Sequence, residues 1–184
     1  MRDPGVSLRE VSGPVHLIGR FFGSLIPIGA KAVDIEWIAG VLTPAEFDLW
    51  VRQRPADRRH SAAVARRVER ALGAEATGPV LAAALLHDIG KIDSRLGTYG
   101  RVIATLSGKA VGHDPDIIRA WTKTTGITRR VGLYLQHARL GGDMLELVGS
   151  DALTVAWTRE HHLPEAEWSV EQRLARALKD ADDD

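Results

Sequence analysis

His87 and Asp88 stand next to each other in a chain of seven histidines, four more of which fall one helix or more away, at His60, His137 and the pair His161-His162. Neutral imidazole and ionised carboxylate are the donors preferred by Zn, Mn, Fe and related ions, and a carboxylate can bridge two ions where an imidazole cannot. The chain has no cysteine and so no thiolate to offer. Any one of these residues alone would read as a hydrogen-bonded core histidine or a paired acid. Four or five inward histidines and an aspartate together ask for cationic compensation, which divalent ions would supply. The residues read as a two-metal site.

The elements that must position them are helical. Thr43-Pro44-Ala45-Glu46 supplies an N-cap, a proline at the first helical position and an early acid, predicting a helix over about 44–53 that stops before Pro55. Asp57 is a candidate cap for the next helix, which runs to Gly73 with Val64, Val68 and Leu72 on one stripe. His60 lies four residues before Val64, on the same stripe. Gly78-Pro79 opens a third helix, apolar all round from Val80 to Leu86 and therefore central, with His87-Asp88 at its end and Gly90 as its C-cap. The stretch 94–111 carries three glycines and no firm pattern. Pro115 starts a helix to about Thr122, and Thr128 is a candidate cap for one holding Leu133 and His137. Asp151 caps a helix with Leu153, Trp157 and His161 in one row, and Ser169 caps the last. The fold class is all-α, an orthogonal helical bundle over 41–184, preceded by a partly ordered extension over 1–40. In that extension residues 1–14 are loose, and Phe21, Phe22, Leu25 and Ile26 read as packing on the domain, with a peripheral membrane or partner contact as the alternative.

The order His60, then Leu85-Leu86-His87-Asp88-Ile89-Gly90-Lys91, then His137, then His161-His162, then a late Ala-Asp resembles the HD-domain metal-dependent phosphohydrolase superfamily over residues of about 57–183. The resemblance implies that His60, His87, Asp88 and a late Asp hold one ion. Asp88 would bridge to a second, whose shell His137 and His161 or His162 complete. The closing run Ala177-Leu178-Lys179-Asp180-Ala181-Asp182 favours Asp182 over Asp180 as the late ligand. His162, rotated by about 100° from His161 on a regular helix, either completes the second shell or contacts substrate. The stretch from His137 to Leu145 followed by the double histidine is similar to the subgroup that degrades cyclic dinucleotides. That subgroup continues with an acid and Gly-Tyr-Pro, where this chain reads Leu163-Pro164-Glu165, so the substrate is left open.

The implied activity is hydrolysis of a phosphoester or phosphoanhydride in a nucleotide or small phosphorylated metabolite by a metal-bridging hydroxide. The cofactors would be two divalent transition-metal ions (Mn, Fe, Co, Ni or Zn). Lys91 reads equally as a solvated lysine near a helix C-terminus or as a phosphate-facing charge. Arg129, Arg130 and Arg101 are candidates for substrate binding or plain surface charge. His16 and His113 fit no pattern, and the five tryptophans read mainly as core. A di-iron oxygenase and a non-catalytic nucleotide sensor are the alternatives on the same ligand set. Equal numbers of acidic and basic residues, 24 each, give no global field toward nucleic acid or acidic membranes. No segment reads as a membrane span, since Val15 to Val33 is broken by Arg20, Pro27 and Lys31. Without a disulfide framework the expected compartment is the cytoplasm.

Overall fold

The computed structural model describes residues 32–184, all-helical and without a strand among them. The readings of residues 1–14, of Phe21, Phe22, Leu25 and Ile26, and of His16 lie outside the described residues. Helix α1 (Ala32–Val41) is followed by α2 (Pro44–Val51), α3 (Pro55–Leu72) and α4 (Gly78–Leu86). A short α5 (Lys91–Ser94) leads to α6 (Thr98–Ala110), α7 (Pro115–Thr122), α8 (Gly126–Leu135) and α9 (His137–Leu147). Helices α10 (Ala152–Glu160) and α11 (Gln172–Asp183) complete the chain.

The all-apolar run of α4 sits where sequence reasoning puts it. Every residue from Val80 to Leu86 is buried, enclosed by α1, α3, α10 and α11. On α3, Val64, Val68 and Leu72 form the buried stripe. Helix α2 begins with a complete capping box: the Glu46 amide donates to Thr43 Oγ1 (3.3 Å) and the Thr43 amide to Glu46 Oε2 (2.9 Å). Helix α1 joins this core through the fully buried Ile38, and Arg66 of α3 lies over the Trp37 ring. A second, smaller cluster of Leu96, Ala104 and Val131, flanked by Trp121, Tyr134 and Leu135, holds α6, α7 and α8 together as a lobe.

Four local readings are corrected. Asp57 does not cap α3, which starts at Pro55 with no side-chain cap; it forms a bidentate pair with Arg101 on α6 (2.5 and 2.6 Å). Thr128 caps nothing, because α8 already starts at Gly126, and a break at Gln136 puts Leu133 and His137 on different helices. Ser169 does not cap α11; it binds the Glu160 carboxylate, and Glu171 takes the cap by accepting from the Arg173 and Leu174 amides. Gly90 is not a left-handed C-cap either. Its φ is −63°, and glycine is needed there for space. A Cβ on Gly90 would overlap the His137 carbonyl oxygen and stand 2.7 Å from the Gly141 nitrogen. A Cβ on Gly141 would in turn stand 3.0 Å from the Gly90 nitrogen. Two glycines back to back thus press the His87-Asp88 turn onto the start of α9.

Candidate metal centre

The end of α4 and the first turn of α9 are in contact through those glycines, and α3, α10 and α11 deliver the remaining groups to the same place. His87, Asp88, His137, His161 and Asp182 are all buried, His60 is half-buried, and His162 reaches the surface. Two ligand groups result, Asp88 with His137, His161 and His162, and Asp88 with His60 and His87; within each, one donor atom per residue lies within 4.8 Å of the others. Asp88 belongs to both. Its Oδ1 faces His137 Nε2 (3.2 Å) and His161 Nε2 (3.7 Å), while its Oδ2 faces His87 Nε2 (3.5 Å) and accepts from the Lys91 ammonium. Asp182 Oδ1 lies 2.8 Å from His60 Nε2 and 3.4 Å from His87 Nε2.

Tautomers follow from the backbone. The Nδ1 atoms of His87, His137 and His161 lie 3.0, 2.6 and 2.9 Å from the carbonyl oxygens of Ala84, Tyr134 and Thr158, each three residues earlier. A carbonyl oxygen only accepts, so each Nδ1 carries the proton and each neutral ring turns an Nε2 lone pair inward. The Nε2 atoms of His87 and His161 are buried without a hydrogen-bond partner. Lone pairs facing carboxylate oxygens across 3.2–3.7 Å repel unless positive charge lies between them. This donor set, with backbone carbonyls orienting the rings from behind, is the arrangement divalent transition metals take. The buried His/Asp groups can hold a metal ion.

The electrostatics agree. Burial opposes the charge of Asp88, but Lys91 and His87 outweigh it and hold the carboxyl well below its usual range. Asp182 is likewise lowered against burial, by His87 and His60. For His87 burial works downward, yet Asp88 and Asp182 prevail and its pKa is raised. His161 is lowered by burial, and His162 by burial of its inner edge and by the neighbouring His161 and His137.

These directions fix a pH dependence. The raised pKa of His87 stabilises the metal-free fold fully below the unfolded value of about 6.5, and that contribution is lost as pH climbs through the folded value. The lowered carboxylates stabilise it above about pH 4 and fail as pH falls through their folded values. The lowered pKa values of His161 and His162 work against His87 below about pH 6.5, where the unfolded chain protonates them and the fold does not. Metal-free protein should therefore melt highest near neutrality, losing stability on the acid side through these two and on the alkaline side through His87. Added metal, which requires neutral imidazole, should reverse the decline at higher pH and expel a proton from His87. Calorimetric titration in buffers of different ionisation enthalpy reads that proton. Binding without proton release, or a metal-free melting temperature that is highest near about pH 5, contradicts the assignment.

Of the other sequence candidates, Asp182 lies in the cluster, whereas Asp180 is exposed on the opposite side of α11. Lys91 is paired with Asp88, with its ammonium 5.9 Å from the Tyr134 ring centroid. Arg101 is held by Asp57 and lies at the same distance from Tyr134. Arg129 and Arg130 are exposed and line, with Asp93, Arg95 and Leu133, a hollow of about 390 Å³ that none of the ligand residues lines. Sequence reasoning misses the Asp57–Arg101 pair and Tyr134, for which no spacing signal exists because the partners sit on separate elements. His113 is exposed, with a left-handed φ of 55°.

His60→Ala should lower metal affinity by about 10- to 100-fold at neutral pH, and Asp182→Asn should do likewise, whereas His113→Ala and Asp180→Asn leave it unchanged. Equilibrium metal titration against a chromophoric chelator measures all four. An unaltered His60→Ala would make His60 an ordinary core histidine. No protein-family model, curated protein or solved structure matches this chain.

Proposed function

We propose that the protein is a metal-dependent hydrolase of phosphoester or phosphoanhydride bonds in a nucleotide or another small phosphorylated metabolite, working in a reducing, cytoplasmic setting. The observation that carries this reading is the division of Asp88, with Oδ1 turned to His137 and His161 and Oδ2 to His87. His60, His87, Asp88 and Asp182 would hold one divalent ion and Asp88, His137, His161 and His162 another. Such ions supply Lewis acidity to a phosphoryl oxygen and bring the pKa of water toward neutrality. The ligand order and the His-Asp-Ile-Gly-Lys run support phosphoryl chemistry through their resemblance to the HD-domain phosphohydrolases.

The chain's own groups have distinct tasks. Asp88 keeps two clusters of neutral imidazoles in register and supplies the negative charge that draws cations into a buried place. The Lys91 ammonium, held at the rim between Asp88 and Tyr134, is positioned to take a non-bridging phosphoryl oxygen as the carboxylate turns its charge toward cations. Asp57 holds the Arg101 guanidinium by two hydrogen bonds, fixing it in place and offsetting its charge. No protein nucleophile is required. Arg129 and Arg130, beside a hollow that starts two residues beyond Lys91, would meet only an extended substrate.

A screen of phosphorylated metabolites with Mn, Fe, Co, Ni and Zn, run under nitrogen, tests the proposal. Turnover of a phosphorylated compound without dioxygen is expected. Substrate oxidation that requires dioxygen, as on a di-iron centre with the same ligands, would overturn it, as would metal-loaded protein that binds nucleotides and cleaves none.

A further inference from the structure

Helix α6 is amphipathic in the wrong sense for a core helix. Its inward side carries the small residues Ala104 and Gly108, both buried against α8. Its outward side carries Val102, Ile103 and Leu106, which are 43%, 54% and 61% exposed, with Tyr99 continuing the row at the helix start. The spacing 99, 102, 103, 106 is one helical face, so the large apolar groups form a single outward stripe. Exposed stripes of this kind mark contact surfaces.

The charge around it says what kind. The whole chain balances 24 basic against 24 acidic residues, but residues 95–135 hold seven Arg or Lys and two Asp. Six of the seven, Arg95, Lys109, Arg119, Lys123, Arg129 and Arg130, are exposed. None of the six forms an ion pair among the described residues, whereas Arg139, Arg159, Arg173, Arg176 and Lys179 elsewhere on the surface each hold a carboxylate. Lys109 flanks the stripe itself, one turn beyond Leu106. The neutral total therefore hides a positive lobe bearing an apolar ridge.

We infer that this lobe docks on an anionic lipid surface, with Val102, Ile103 and Leu106 entering the interface and the unpaired Arg and Lys side chains meeting lipid headgroups. A second copy is a poor occupant because two positive lobes would face each other. The chain's own residues 1–31, with four Arg or Lys to two acids, are basic as well and offer no charge complement. A partner helix would need a groove, and the stripe residues line neither the groove between α3 and α11 nor the hollow at Arg129 and Arg130. A convex apolar ridge with a basic surround is the form that lies in a headgroup layer. No described helix is long and apolar enough to cross a membrane, so the contact is peripheral. The inference is independent of the proposed activity.

Vesicle flotation of the full chain provides the test, comparing pure phosphatidylcholine with phosphatidylcholine containing a third phosphatidylglycerol. Association with the anionic vesicles only, weakening as salt is added, is expected. Lys109→Glu should reduce the partition coefficient about fivefold or more, and Leu106→Asp about tenfold or more. Both residues are exposed, so both variants should melt with the wild type, and melting curves check this. Equal binding of wild type and Leu106→Asp, no binding to anionic vesicles, or a dimer that Leu106→Asp dissociates would each overturn the inference.

Discussion

Asp88→Ala should yield a folded helical protein that retains neither metal ion and hydrolyses no phosphorylated substrate. The carboxylate is the only residue common to both ligand groups, so its removal subtracts one ligand and one negative charge from each. On the two-ion proposal it would also take away the carboxylate between the cations, whose mutual repulsion would then favour loss of both. Metal affinity should fall by more than about a hundredfold, the upper end of the loss when only a supporting group is removed. Asp88→Asn keeps the shape but not the charge, and should retain at most a trace of activity. The helical signal should survive, because the core built on Val64, Val68, Leu85, Leu86 and Trp157 is contiguous and does not pass through Asp88. Circular dichroism and activity would then separate. A folded Asp88→Ala protein with wild-type metal affinity and turnover would refute the bridging role.

Gly90→Ala should be the most damaging glycine-to-alanine substitution among the described residues. The added carbon would overlap the His137 carbonyl oxygen and approach the Gly141 nitrogen at 2.7 Å. Both obstacles are backbone and cannot swing aside. Overpacking of this kind costs about 1–3 kcal/mol, and more where the neighbour is rigid. Relief requires α5 to part from α9, which carries Asp88 away from His137 and loosens the metal centre along with the fold. Two comparisons isolate the cause. A Cβ on Gly142 would overlap the Arg159 side chain, which is not backbone but is held by Asp143 and Glu146, and one on Gly40 meets nothing within 4 Å. Gly142→Ala should therefore cost less than Gly90→Ala, by displacing Arg159 from its carboxylates, and Gly40→Ala, inside α1, should stabilise by about 0.5–1 kcal/mol. Urea midpoints and metal titrations rank the three, and a Gly90→Ala protein as stable as wild type would contradict the close-approach argument.

Periodicity alone makes much of this arrangement legible in the amino-acid sequence. The four-residue step from His60 to Val64 places the histidine on the buried stripe of α3, and the unbroken apolar run from Val80 to Leu86 requires a central α4. The row Leu153, Trp157, His161 carries its histidine inward, as the burial of Trp157 and His161 shows. What stays hidden depends on contacts between elements. His137 is oriented by a new helix starting after Gln136, and spacing cannot separate that from one continuous helix through Leu133. Gly90 has ordinary helical angles, so the need for glycine lies wholly in the backbone of α9. The outward stripe of α6 has the period of a core-facing helix, and only its packing shows that the small residues face inward.

The two ligand groups sharing Asp88 should fill together. Elemental analysis of protein stripped with chelator, reconstituted with excess Mn, Fe, Co, Ni or Zn and freed of unbound metal tests it most directly. Close to two ions per chain are expected for at least one of these metals; protein that takes up no more than one ion of any of them would contradict it.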